Sequence, residues 1–189
     1  WIASVEVSRA LPPALEVRVT ERRAAALVDL DGLYLLDERG RVFKRATPGD
    51  GLDLPLVTGV GRDDFVERPN ELEPLLAGAL ALAERWSAGG LGRRAMLSEI
   101  HVDADWGVTL FAGDQGFEVR LGTGDIPAKL ERLERVLAAL DAEGQKPAAI
   151  HLDNRRRPDW VTVRLAGRHG AAGGRPTVAK AEGRGPRGP

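Results

Sequence analysis

Alternation of period two constrains this chain more than any other feature. In VEVSRALPPALEVRVTER, Val5 and Val7 share a face, as do Leu15, Val17 and Val19, with Glu, Ser and Arg between them. Successive side chains of a strand point to opposite faces, so the pattern predicts two half-buried strands around a Pro-Pro turn. LYLLDERGRVFK repeats the device, with DERG as the turn ending at Gly40 and a return through Val42 and Phe43. GDGLDLPLVTGVG reads as a loop held by Pro55 and several glycines. Further on, MLSEIHVD, WGVTLFA and GFEVRLG are three strands whose connections suit an antiparallel meander. AAIHLD and DWVTVRLA are two more.

Helical spacing occurs twice. A helix is expected from near Asn70, where Asn70 and Glu73 resemble a capping box and Pro74 falls in the first turn. Leu72, Leu75, Leu76, Ala79, Ala83 and Trp86 make its apolar stripe, and Gly89 and Gly90 end it. The second runs from Ile126 to Leu140, with Ile126, Leu130, Leu133, Leu137 and Leu140 on one face and Asp125 as its N-cap. The expected class is α+β, a mostly antiparallel β-sheet with two amphipathic helices.

A 43% hydrophobic content supports a real core in one mid-sized or two small domains. No apolar run approaches the ~20 residues that span a bilayer. The chain opens at Trp1 without an initiator Met and reads as a fragment. Zero cysteines exclude disulfides, thiolate metal sites and Cys nucleophiles. Residues 167–189 hold five Arg or Lys, one Glu and ten Gly or Pro, the composition of a disordered basic tail. The remainder carries 22 basic against 27 acidic residues, which disfavours nucleic acid as a partner.

Two of the three histidines fall in near-identical tetrapeptides, IHVD (100–103) and IHLD (150–153). His101, Asp103 and His151 are therefore candidate ligands of a metal-dependent hydrolase. The same alternation places Ile100, Val102, Ile150 and Leu152 inward and His and Asp toward water, with no helix-borne His pair to fix two ligands. LGTGDIP resembles a phosphate cradle but lacks the Gly-Lys-Ser/Thr ending, and a helix cap is the better reading. No serine lies in a Gly-x-Ser-x-Gly elbow. Neither an enzyme nor a cofactor is expected.

NRRRPDWVTVRLAG places Arg155, Arg156 and Arg157 before the last strand. They read as a solvated turn, a nucleic-acid contact or a flank of a protein-binding edge. Trp160, Thr162 and Arg164 share one face of that strand, and Val161, Val163 and Leu165 the other. At a sheet edge, its N–H and C=O groups would be available to pair with a partner strand.

Several motifs in order carry a family resemblance. The opening segment supplies Trp1, Val5, Val7, Arg9, Pro12, Val17, Val19, Glu21 and Arg22, followed by Leu36, Asp37, Gly40, Val42 and Phe43. Leu54, Pro55 and Gly59 come next, then VRLGTGDIPAKLERLERVLAAL and IHLDNRR. Over about residues 1–166 the chain resembles the bacterial cell-division family FtsQ/DivIB, departing from it at Ala24, where the family usually has Pro. The resemblance implies residues 1–26 as the end of a truncated POTRA domain, 27–166 as the family's β domain, and 167–189 as the tail. It further implies a non-enzymatic divisome scaffold of the cytoplasmic membrane, single-pass, with this region extracytoplasmic. Such a protein recruits FtsB/DivIC-type and FtsL-type partners by strand addition and helps control septal peptidoglycan synthesis. By position, the partner site would comprise Arg155, Arg156, Trp160, Val161, Thr162, Val163, Arg164 and Leu165. A POTRA-type assembly or chaperone module, which also binds by strand addition, is the other reading of the same pattern.

Overall fold

The structure, a computed structural model, describes residues 1–11, 13–114, 116–167 and 177–180, the last four by backbone alone. The expected turn at Pro12 and most of the expected disordered tail lie outside the described residues. The chain divides into two compact units, Trp1–Leu82 and Ala83–Pro189.

In the first unit, β1 (Ile2–Ala10) and β2 (Ala14–Glu21) form a two-stranded antiparallel sheet. Both strands exist as the alternation predicts, but neither is half-buried. Every position is exposed, with Val7 at 63% and Leu15 at 70%. Two strands alone have two faces, and among the described residues of this unit nothing covers either. The unit continues with β3 (Ala24–Asp29), β4 (Leu33–Asp37), β5 (Val42–Arg45) and β6 (Leu56–Thr58), in sheet order β6-β3-β4-β5. β6 lies where a loop was expected. Its three residues are too few to show a period, yet Val57 is fully buried and the Pro55 carbonyl accepts from the Leu27 N–H at 2.9 Å. Two helices follow, α1 (Arg62–Glu67) and α2 (Pro69–Ala88).

α2 departs from its expected start. It begins at Pro69, so Asn70 is inside the helix and Pro74 lies beyond the first turn. Glu73 closes no box, because its carboxylate accepts from Arg41 Nε at 2.9 Å. Leu72, Leu76, Ala79, Ala83 and Trp86 are buried as the stripe requires, whereas Leu75 is 40% exposed.

The β4–β5 turn is built on Asp37, the sole buried charged residue among those described. Its carboxylate accepts from Arg22 Nη1 at 2.7 Å and from the N–H groups of Arg39 and Arg41, each at 3.0 Å. A buried charge is tolerable only when paired and hydrogen-bonded in this way. Gly40 completes the turn at φ +79°.

The second unit holds α3 (Gly90–Arg94), a meander of β7 (Leu97–Asp103), β8 (Gly107–Ala112) and β9 (Phe117–Gly122), then α4 (Ile126–Ala142). α4 buries Leu130, Leu133, Leu137 and Leu140, as its spacing predicts, and the Asp125 side chain caps it by accepting from the Ala128 N–H at 3.1 Å. β10 (Pro147–His151) returns parallel to β9, and β11 (Trp160–Leu165) runs antiparallel to β10. The fold is therefore α+β with a mostly antiparallel sheet, as expected, carrying two short helices besides the two amphipathic ones.

β11 is not an edge strand. β12 (Thr177–Lys180) pairs antiparallel along its outer side, giving the order β12-β11-β10-β9-β8-β7. Four residues of the expected disordered tail thus have strand backbone. Composition missed them because four residues in a Gly- and Pro-rich stretch are too few to show a period, and a row of unpaired β11 groups was available to pair with them.

Gly40 yields a stability prediction. A Cβ there would sit 2.9 Å from Leu76 Cβ and 3.1 Å from the Ala77 amide nitrogen, at a φ that L-residues avoid. Gly40→Ala should cost at least about 1–2 kcal/mol, read as a lower urea midpoint at unchanged slope.

Candidate functional site

The backbone of β11 decides which of its groups can meet a partner. The Ala166 N–H donates to the Lys146 carbonyl at 2.8 Å, on the β10 side. Amides alternate in direction along a strand, so those of Arg164 and Thr162 also face β10, while those of Val163 and Val161 face β12. The register with β12 pairs Trp160 with Lys180, Val161 with Ala179, Thr162 with Val178 and Val163 with Thr177. Val161 and Val163 are buried, Trp160 and Thr162 half-buried and Arg164 exposed, as alternation predicts. Leu165 leaves the pattern at 36% exposure.

The arginine run is a built turn. Asn154 Oδ1 accepts from the N–H groups of Arg156 and Arg157 at 3.1 and 3.0 Å, and the Arg157 carbonyl accepts from the Trp160 N–H at 2.9 Å. This Asx-type arrangement fixes the turn and the start of β11 together. The three guanidinium groups differ in use. Arg155 donates to the Asp105 carbonyl at 3.1 Å and lies 5.9 Å from the centre of the Trp106 ring. Arg157 stacks 4.2 Å from the Trp160 ring centre. Arg156 is exposed. The sequence-predicted residues therefore divide into the turn (Arg155, Arg156) and the strand (Trp160 to Leu165). Arg157, read in the sequence as part of the arginine turn but not among the partner-site residues, joins them through Trp160. An arginine three residues before a tryptophan at a turn was the available signal for it.

Beside the turn lies a cleft of about 490 Å³ lined by Trp106, Gly122, Asp125, Lys129, Arg132 and Asp153, among others. Sequence reading did not find it, since its walls come from four separate segments. Backbones approach closely at its floor. A Cβ on Gly107 would fall 2.3 Å from the Gly122 carbonyl, and one on Gly122 would fall 2.8 Å from Asp153 Cβ. Lys129 Nζ donates to the carbonyls of Leu121 and Thr123, each at 2.6 Å. Burial holds its ammonium below the usual lysine range, opposed by the neighbouring Asp153 carboxylate. Arg132 donates to the Pro158 carbonyl. The Gly-rich turn before α4 is a helix cap and cleft wall, with Asp125 already satisfied.

The metal reading of His101, Asp103 and His151 fails on geometry. His101 is on β7 and His151 on β10, with β8 and β9 between them. At ~4.8 Å per strand that is roughly 14 Å, too far for one ion. Asp103 is committed to its own turn, where Oδ1 accepts from the N–H groups of Asp105 and Trp106 at 2.8 Å each. Among the described residues no group of three His, Cys, Asp or Glu is placed to hold a metal.

Comparison with known proteins matches this chain to cell-division proteins. The family model described as cell division protein FtsQ/DivIB, C-terminal, matches residues 26–157. The chain is 63% identical to the cell division protein FtsQ of Anaeromyxobacter sp. (strain K) over 93% of its length, and 45% identical to that of Myxococcus fulvus over 88%. It spans 59% and 58% of those two relatives. A 37% identical FtsQ from Geotalea daltonii aligns over 81% of the chain and 56% of that protein. By this match the chain belongs to the FtsQ/DivIB C-terminal family. Among its described residues no helix is long and apolar enough to cross a membrane.

Asp103 generates a pH prediction. The Trp106 and Asp105 N–H groups hold its carboxyl below the usual aspartate range. A depressed folded-state value adds stability that is present above the unfolded-state value and lost as pH falls through the folded one. Asp103→Ala should therefore lower the urea midpoint at pH 7, and the gap from the native protein should close in strong acid.

Proposed function

We propose that this protein is a non-enzymatic scaffold of the bacterial division machinery, acting by backbone pairing along β11. In this reading FtsB/DivIC-type and FtsL-type division proteins are its partners. An extended segment of the FtsB/DivIC-type partner adds a strand to β11, and through this recruitment the protein helps control septal peptidoglycan synthesis. The intact protein is held in the cytoplasmic membrane by a single helix outside this sequence, with the present region on the extracytoplasmic side.

One observation carries the reading. The outer side of β11 has the geometry to pair with an antiparallel strand, since β12 does so in four consecutive registers. Main-chain hydrogen bonds give affinity in strand addition, and side-chain contacts alongside give specificity. Trp160 under the Arg157 guanidinium and Trp106 beside Arg155 supply aromatic and Arg contacts of the kind that concentrate binding energy. Exposed Arg156 and Arg164 would add salt-sensitive pairing to acidic partner residues, at most about 1 kcal/mol each. Arg155 is already engaged, so it shapes the cleft and contributes less as a free charge.

Val163→Pro tests the assignment. Val163 directs its N–H away from β10, so proline there removes a donor from the partner-facing row and leaves the interior ladder its bonds. Affinity for the extracytoplasmic segment of an FtsB-type partner, measured by titration calorimetry, should fall at least about tenfold. Circular dichroism should remain native-like. Thr162→Pro, whose missing donor faces β10, should disrupt the fold itself. Native partner affinity in a folded Val163→Pro chain would show that the site lies elsewhere.

A further inference from the structure

We infer that Thr177–Lys180 is a displaceable cover, an internal strand that occupies the β11 edge and must leave before a partner strand can pair there. This rests on the strand-addition reading and adds its regulation. β12 runs antiparallel to β11 opposite Trp160 to Val163 and meets the Val161 and Val163 amides, the two donors a partner would need. One row of donors cannot serve two strands, so the two occupants exclude each other.

The cover has the features of a weak competitor. It is four residues long, and two of them, Ala179 and Lys180, are residue types depleted in strands. Pro176 precedes it and cannot extend the ladder. Short strands, Lys and Pro are the means by which proteins blunt a sheet edge against unwanted pairing. What such a strand lacks in pairing strength it gains from attachment. Belonging to the same chain keeps it near β11 at high effective concentration, whatever the concentration of partner. The cover also ends at Val163, leaving Arg164 and Leu165 exposed beyond it. A longer strand aligned in the same direction would pair first beside these two residues and then replace β12 register by register. The segment thereby protects an aggregation-prone edge in the free protein and sets a threshold for partner engagement.

Population arithmetic gives the size of the effect. A partner that requires the uncovered state binds more weakly by the fraction of time the edge is open, so a cover closed about nine-tenths of the time costs about tenfold. The test compares the native chain with two variants, the double substitution Val178→Pro/Ala179→Pro and a chain ending at Ala166. Hydrogen exchange at the Val161 and Val163 amides reads the cover without any partner. Calorimetry with the FtsB-type segment used to test Val163→Pro reads the competition. Both variants should lose protection at these two amides, keep it at Thr162, and bind the segment about tenfold more tightly. Unchanged protection in both variants would overturn the cover. Lost protection with unchanged affinity would overturn the competition. Lost protection with no binding by any of the three chains would overturn the strand-addition reading itself while leaving the cover standing.

Discussion

The apolar seam of α4 holds the second unit in its arrangement. Leu130, Leu133, Leu137 and Leu140 are buried, and the helix carries the chain from the end of β9 to the start of β10 so that the two lie parallel. A parallel return needs a crossover of this kind, whereas every other connection along β7 to β9 is a tight antiparallel turn. Where β10 lies determines where β11 lies, and β11 carries the outward row of amides on which the functional reading depends.

At the far end of β9 and β10 the same crossover brings glycine backbones and Asp153 together. Gly107 and Gly122 admit no Cβ, and the space they concede lets the 153–159 turn close against the β8–β9 end. Asn154 then sets the Arg156 and Arg157 amides, and Arg155 reaches the Asp105 carbonyl across the cleft. Close backbone approach, an Asx turn and two guanidinium–indole contacts together hold the end of β11 at a defined position. A strand that must offer its backbone to another chain benefits from being held this way, because less ordering remains to be done at the moment of binding.

Much of the fold was legible because its elements have strong periods. The α4 stripe, the β7–β9 meander and the β4–β5 hairpin could each be read from spacing alone, as could the Asp125 cap. What escaped lacks a period. β6 is three residues, α1 and α3 are five or six, and β3 runs through three alanines, Leu27 and Val28 with no polar residue between them to mark an alternation. The α2 start was misplaced because Asn70 and Glu73 have the right spacing for a box, while Glu73 is drawn to Arg41, far away in sequence. The site followed the same rule. The faces of β11 were evident from alternation, but the Trp106 contact, the cleft and β12 arise from pairings between distant segments. Asp37 is the clearest case: an ordinary turn aspartate in sequence, it is buried and paired with Arg22 in the structure.

The placement of the four tryptophans has a spectroscopic consequence. Trp86 is fully buried and donates through Nε1 to the Ala95 carbonyl, whereas Trp106 is 74% exposed beneath Arg155. Trp160 is half-buried beneath Arg157, and Trp1 is 44% exposed with its edge against Phe43. Two indoles therefore flank the β11 turn in wetter and drier surroundings, each under a positive charge that perturbs its excited state. The protein carries its own optical label at the one place where a second chain would draw water away from an indole, with Trp86 as a built-in internal standard.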